Sequence, residues 1–357
     1  MSQRIINVIG NIFGTSGYAS HTRNLANAIN EYMPVKLICQ MMPGWERQVT
    51  DKELEMIKRP EGDTNLIIAM PHQWNLYTTG KVNIGFLVWE GDKIPKSWIE
   101  DLLNPDIDYI FVPSQHTKDA ICNTVVDWND KAEEVFKKIH IMPHGVSDIF
   151  KPKETKRDKF TFLCNKGFTN LEDRGGIQYM LKAYNEEFTD EKVQLILKIN
   201  PAYGIPNMNL LMKQLGYTEK SPTVILATNE IPTEQMPSLY NNCDVFVSPT
   251  RAEAFNLPCI EAMACQKPVI TTNFGGQTDF CNESNSWIID GELKEVQHDI
   301  MYEGIKWLTP NIDKLKHALR EAYTKPKLVS SKGIKALETS KSYTWAKTAE
   351  KIVNLIN

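Results

Sequence analysis

The sequence predicts an α/β chain of two doubly wound, Rossmann-like domains facing a central cleft. Three observations carry this. Short, near-continuous apolar runs alternate with helix-period segments, the pattern of parallel strands buried on both faces. The alternation breaks once, over residues 150–159 (FKPKETKRDK), a charged stretch without periodicity that reads as an interdomain linker. And 357 residues are too many for one ordinary core. The expected domains are 1–152 and 153–342, followed by a last helix.

The first strand is expected at residues 4–10 (RIINVIG), followed by the loop NIFGTSGYAS and the helix HTRNLANAINEY, with Leu25, Ala28 and Ile29 on one face. Strand, Gly-rich loop and helix form a phosphate-cradling order. The spacing is not G-x-G-x-x-G, so a dinucleotide site is not expected; a plain strand-to-helix turn explains the same residues. Further strands are expected at 35–40, 66–70, 82–88, 107–112 and 138–142, with helices near 96–103 and 115–128. Ligands of such sheets collect at the carboxyl ends of the strands. His72, Glu90, Ser114, His116 and His144 all follow expected strands there.

After the linker the alternation resumes. Strands are expected at 160–164, 193–199, 223–227, 244–248, 268–272 and 286–289. Helices are expected at 176–187, 208–216, 233–242 and 258–266. Beyond residue 300 the pattern turns helical, with segments near 311–324, 327–339 and 343–356. Lys166 and Arg174 lie on the loop after the first of these strands, where cations could neutralise a diphosphate. Glu172 and Asp173 beside Arg174 could instead pair with it locally.

The stretch PTRAEAFNLPCIEAMACQKPVITTNFGGQTD places Glu253 and Glu261 with seven residues between them. Between them AFNLP has the chemistry of a helix start, with Leu257 as the cap and Pro258 at the first helical position. Exposed N–H groups and the helix dipole there would suit an anion. A carboxylate before that point and another inside the helix could hold hydroxyls on either side of a phosphate, which suits a sugar nucleotide. A solvated Glu before an ordinary capped helix is the plainer reading.

Composition sets bounds. Apolar residues make up 42% of the chain, as in soluble globular proteins, and the formal net charge of −4 argues against a nucleic-acid binder. The seven scattered cysteines form no CxxC pair or zinc pattern, so reduced thiols in a cytoplasmic protein are expected. MSQRIINVIG reads as a first strand rather than a signal peptide.

Several segments together resemble the retaining, nucleotide-sugar-dependent glycosyltransferases of the family four group, which have the GT-B fold. They are HGVSDIFKP at 144–152, RGGIQYMLKAY at 174–184, and MPSLYNNCDVFVSPTRAEAFNLPCIEAMACQKPVITTNFGGQTDF at 236–280. WEGDKIPKSW and YIFVPSQHTKDAI within 89–121 resemble a first-domain segment of one branch.

The resemblance implies transfer from a UDP- or GDP-sugar with retained anomeric configuration and no metal or cofactor. The acceptor would be a glycan, a lipid-linked glycan or another hydroxyl compound; a lipid acceptor would bring peripheral membrane contact. It implies that Glu253 contacts the donor sugar and Glu261 the ribose hydroxyls. Phe255, Asn256 and Leu257 would offer backbone N–H groups, and Lys166 and Arg174 would stabilise the leaving diphosphate. Gly14, Thr15, Ser16 and Gly17 would face the phosphates from the first domain, and Ile231 would lie near the base. Glu90 and His116 are alternatives for a first-domain sugar contact, and His144 is a further candidate. The helix at 343–357 would cross back onto the first domain.

The chain departs from the family where EGFG becomes EAFN. Ala254 and Asn256 add Cβ atoms that could narrow the backbone's approach to a donor. A non-catalytic sugar-nucleotide or glycan-binding protein on the same fold is therefore the alternative expectation.

Overall fold

The computed structural model describes residues 4–14, 16–40, 49–126, 130–168, 170, 172–201, 204–297 and 299–357. It holds two compact units. One comprises Met1–Gly145, Val296–Ile305 and Tyr343–Asn357; the other comprises Val146–Glu295 and Lys306–Ser342.

The first unit is built from β1 (Ile6–Gly10), α1 (Gly17–Ile29), β2 (Val35–Cys39), α2 (Asp51–Lys58), β3 (Thr64–Ile68), β4 (Val82–Phe86), α3 (Ile99–Leu103), β5 (Tyr109–Val112), α4 (Gln115–Val125), α5 (Asp130–Lys138) and β6 (Ile139–Ile141). The strands form one parallel six-stranded sheet in the order β2-β1-β3-β4-β5-β6. Val8, Ile67, Ile84 and Ile110 are buried because helices cover both faces. β4 (VNIGF) carries a glycine for a reason: a Cβ on Gly85 would stand 2.6 Å from the Trp74 ring. Trp74 is itself fixed, buried, by its indole N–H donating to the Ala69 carbonyl at 3.0 Å.

The second unit repeats the plan with β7 (Phe160–Lys166), α6 (Ile177–Glu187), β8 (Val193–Ile199), α7 (Met208–Gln214), β9 (Thr223–Ala227), α8 (Met236–Asn241), β10 (Val245–Ser248), α9 (Leu257–Ala264), β11 (Val269–Thr272) and β12 (Ser286–Ile289). Its parallel sheet runs β12-β11-β10-β7-β8-β9. Phe162, Leu195, Val247 and Ile270 fill its core together with Met180, Tyr184 and Leu319. An antiparallel pair, β13 (Gly291–Glu295) and β14 (Lys306–Pro310), precedes α10 (Ile312–Thr324) and α11 (Pro326–Ser340).

The chain then returns to the first unit as α12 (Trp345–Ile356), which packs on α1. Its Thr344 cap accepts from the Lys347 N–H, and its buried face is Trp345, Ala349, Ile352, Val353 and Ile356. Thr348 donates to the Pro143 carbonyl and Arg4 to that of Ile356.

Three expectations are corrected. Residue 138 closes helix α5 rather than opening a strand, and β6 begins at Ile139. The region after 300 is not all helix, since β14 occupies Lys306–Pro310. The cap of α9 is Asn256, in left-handed conformation, and not Leu257; Leu257 opens the helix and Pro258 is its second residue. No helix among the described residues is long and apolar enough to cross a membrane.

Gly85→Ala should destabilise the first unit by about 1–3 kcal/mol through overpacking on Trp74. Thermal or urea unfolding checks this, and a shift below ~0.5 kcal/mol would contradict the close packing.

Candidate functional site

In the second unit β7 lies between β8 and β10, so the strand order reverses at the β7–β10 boundary. In doubly wound sheets the crevice at such a reversal, outside the carboxyl ends, is where ligands bind. The last two residues of β7, Asn165 and Lys166, point to opposite faces of the sheet. Each reaches one of the two carboxylates that the sequence singled out.

Lys166 is 6% exposed, so its ammonium needs partners inside the protein. It donates to Glu253 Oε1 at 2.8 Å and to Asn256 Oδ1 at 2.8 Å. Both acceptors come from the loop between β10 and α9. Arg174 approaches the other Glu253 oxygen at 3.6 Å and donates to the Ala252 carbonyl at 2.8 Å. Arg174 forms an ion pair with Glu253, and Arg251 stands 3.7 Å from Glu172. Burial alone would raise the Glu253 carboxyl, but Lys166 and Arg174 reverse this and hold it below the ordinary value. Glu253 is therefore an anion at neutral pH.

Asn256 takes φ 75° and ψ 63°, a region that asparagine enters more readily than other side-chain-bearing residues. Its amide spans the loop, accepting from Lys166 and donating to Ser248 Oγ at 2.9 Å. The position that departs from glycine is thus used as a brace. Ala254 is buried, and Phe255 is buried against Phe280 with ring centroids 5.2 Å apart. Gly276 donates to the Glu253 carbonyl at 2.8 Å and ties the loop from the other side.

Asn165 faces the second carboxylate. Its Nδ2 donates to Tyr240 Oη at 3.3 Å, and Tyr240 donates to Glu261 Oε2 at 2.6 Å. Burial pushes the Glu261 carboxyl up to about 7, a rise that the Tyr240 hydrogen bond only partly offsets. The two glutamates, eight positions apart in one loop–helix segment, thus titrate in opposite directions. Ile231 lies half-buried in the loop after β9.

In the first unit, Ser16 caps α1, accepting from the Ala19 N–H at 3.2 Å. Gly14 has φ 74°, and Gly17 opens the helix with open space around its Cβ position. Thr15 lies outside the described residues. Arg23, buried, donates to the Ile12 and Gly14 carbonyls at 2.7 and 3.0 Å and props this loop from beneath. His116, in the first turn of α4, holds the Glu90 backbone carbonyl through Nε2 at 2.8 Å. The Glu90 carboxylate accepts from Tyr302 at 2.5 Å, and Tyr302 stacks on Trp89 at 4.9 Å. Glu90 and His116 therefore stand together. His144 is 4% exposed and packs against His21, Phe86 and Trp345. Burial drives its imidazole down to about 3, so it is neutral at any ordinary pH.

Sequence reading missed Tyr240, Arg23 and Tyr302. Tyr240 sits 21 residues before Glu261 in a separate helix, and Tyr302 lies 212 residues from Glu90, so no local spacing marks either. Among the described residues, no group of three or more His, Cys, Asp or Glu side chains stands close enough to hold a metal.

A family model described as glycosyl transferases group 1 matches residues 147–327. A probable sucrose-phosphate synthase of Thermosipho melanesiensis is 25% identical over 236 residues, which is 64% of this chain and 50% of that protein. This chain thus spans about half the length of that relative. Among solved structures, the sucrose-phosphate synthase of Thermosynechococcus elongatus is similar with TM-score 0.71 and 16% identity, over 99% of this chain and 98% of that one. Anabaena HepE, in complex with UDP and glucose, is similar with TM-score 0.67 and 12% identity over 99% of both chains. Likeness at these identities shows the two-domain GT-B fold.

Glu261 carries a pH signature. Its folded-state value of about 7 exceeds the ordinary 4.5, so folding takes up a proton. The stability it contributes is full below about pH 4.5 and is lost as pH rises through about 7. Relative to Glu261→Gln, the wild type should lose on the order of 3 kcal/mol between pH 5 and pH 8. Unfolding curves of both proteins across that range check this; a difference that does not change with pH would overturn it.

Proposed function

This chain belongs to the glycosyl transferases group 1 family, and from that premise we propose that it transfers a sugar from a nucleoside-diphosphate sugar to an acceptor hydroxyl. We read the transfer as metal-independent, with the anomeric configuration retained. The observation that carries the proposal is the cluster of Lys166, Arg174, Glu253 and Asn256 before α9 at the strand-order reversal of the second unit.

The demanding step is departure of a nucleoside diphosphate, which leaves negative charge on phosphate oxygens. Prepositioned cations lower that cost because they need no reorganisation as the charge develops. Lys166 and Arg174 are such cations, held in place by Glu253 and the Ala252 carbonyl. The start of α9 adds the positive end of a helix dipole. Glu253, an anion, accepts from hydroxyls of the donor sugar and orients it. Glu261 accepts from the ribose hydroxyls, with Tyr240 as its fixed second partner. The bond from the anomeric carbon to phosphate breaks, the acceptor oxygen bonds to that carbon from the same face, and the acceptor proton passes to the leaving phosphate.

UDP- and GDP-sugars are the donors this reading favours, and the UDP and glucose bound to Anabaena HepE support it. The acceptor is a glycan, a lipid-linked glycan or another hydroxyl compound. Asn256 in its left-handed conformation keeps the loop turn that the family builds with glycine, so the substitution does not argue for an inactive protein.

A panel of sugar nucleotides should yield at least one that transfers or hydrolyses. With it, Glu253→Ala should lower kcat by about a hundredfold or more, and Glu261→Ala should mainly weaken donor binding. Both variants working at the wild-type rate would overturn the assignment. A chelator should leave the rate unchanged; loss of turnover restored by Mg²⁺ would overturn metal independence.

A further inference from the structure

We propose that Lys198 reads the base of the donor nucleotide, selecting one with an edge carbonyl, uracil or guanine, over cytosine or adenine, which carry an amino group there. This rests on the donor reading above and deepens it. Nothing in the glutamate motif or the basic pair of the second unit involves Lys198.

The argument begins with position. Lys198 is the penultimate residue of β8, and its ammonium donates to the carbonyl of Ile199, the last residue, at 2.9 Å. The charge therefore sits at the carboxyl end of the strand, where ligands of such sheets bind. The register pairs Lys198 with Asn165 of β7, so the two side chains share a face. Asn165 is the residue that reaches Tyr240 and, through it, Glu261. Lys198 is thus one strand beyond the carboxylate assigned to the ribose, on the same face, toward β9. The loop after β9 carries Glu230 and Ile231, and Ile231 is the residue expected beside the base.

The second strand of the argument is the state of the ammonium. Lys198 is 4% exposed. An ammonium offers three N–H donors, and among the described residues Lys198 has one acceptor, the Ile199 carbonyl. No carboxylate stands within 4 Å of it among those residues. Glu230 acts on it only at longer range, and burial pulls its basicity down. Methionine would fill the same volume in a strand end without the cost of burying a charge on one carbonyl. A charge left two donors short at a ligand-binding edge is matched by a ligand acceptor. A ribose held by Glu261 leaves its base to extend over β8 and β9, and a base carbonyl supplies that acceptor. An amino group in its place would bring two sets of N–H donors together.

Calorimetric titration of UDP, GDP, CDP and ADP into the whole chain, wild type and Lys198→Met, tests this. Lys198→Gln is the second variant, because its amide both donates and accepts. Wild type should bind UDP or GDP about ten- to a hundredfold more tightly than CDP and ADP, the range for a hydrogen bond to a charged group. The UDP and GDP arms show which keto base is taken. In either variant the ratio should fall to about threefold or less.

Wild type binding CDP or ADP as tightly as UDP and GDP would overturn the inference without any variant. Undiminished selectivity in folded Lys198→Met or Lys198→Gln would overturn it too, leaving the glycosyl-transfer reading intact. Binding of none of the four to wild type would remove the donor reading itself, and this inference with it.

Discussion

A buried ammonium with two partners organises the second unit. Lys166 ends the central strand β7 and is almost wholly buried, so its ammonium needs oxygen atoms inside the protein. Glu253 and Asn256 supply them, both from the loop leading into α9. The loop's left-handed turn at Asn256, the placement of α9 and the anionic state of Glu253 all follow from meeting that need. Such a pair adds little net stability, because desolvation consumes most of the attraction, but it fixes geometry. Gly176 shows how tightly the loop is held. It caps α6 at φ 77°, and a Cβ there would stand 1.9 Å from the Pro249 carbonyl.

The same segment carries a second carboxylate in the opposite condition. Glu253 stands beside two cations and stays ionised; the half-buried Glu261, bonded to a phenol, resists ionising. The difference comes from the two faces of β7, one delivering Lys166 and the other Asn165. A strand's alternation thus assigns two environments to two carboxylates that the sequence presents as a matched pair.

Most strands of both sheets were legible because strands buried on both faces must be apolar almost throughout, as INVIG, TNLII and VQLILKI nearly are. The β13 strand was not, since GELKE is exposed along its whole length and carries no apolar signal. Helix α5 was hidden in the charged run DKAEEVFKK, which blurred into the strand after it. At the site, Glu253 and Glu261 were marked by spacing within one segment. Lys166 and Arg174 were marked by their place after β7, but the pairing of Lys166 with Glu253, 87 residues away, was not, and Tyr240 pairs with Glu261 only through the packing of α8 on α9. Asn256 as a cap was missed because a left-handed backbone is a property of the folded loop, not of the residue type.

The first unit is assembled from three separate stretches of chain, and the last of them supplies α12. Thr348 on that helix bonds to Pro143, 205 residues earlier, and Trp345 closes over the rings of His21 and His144. On a ribosome, the amino-terminal sheet emerges long before its lid exists. Its aromatic floor stays uncovered until residues 343–357 have been made, and closing so long a loop carries an entropic cost. The first unit is thus completed only by a stretch, Tyr343–Asn357, that follows the last residue of the second unit, Ser342.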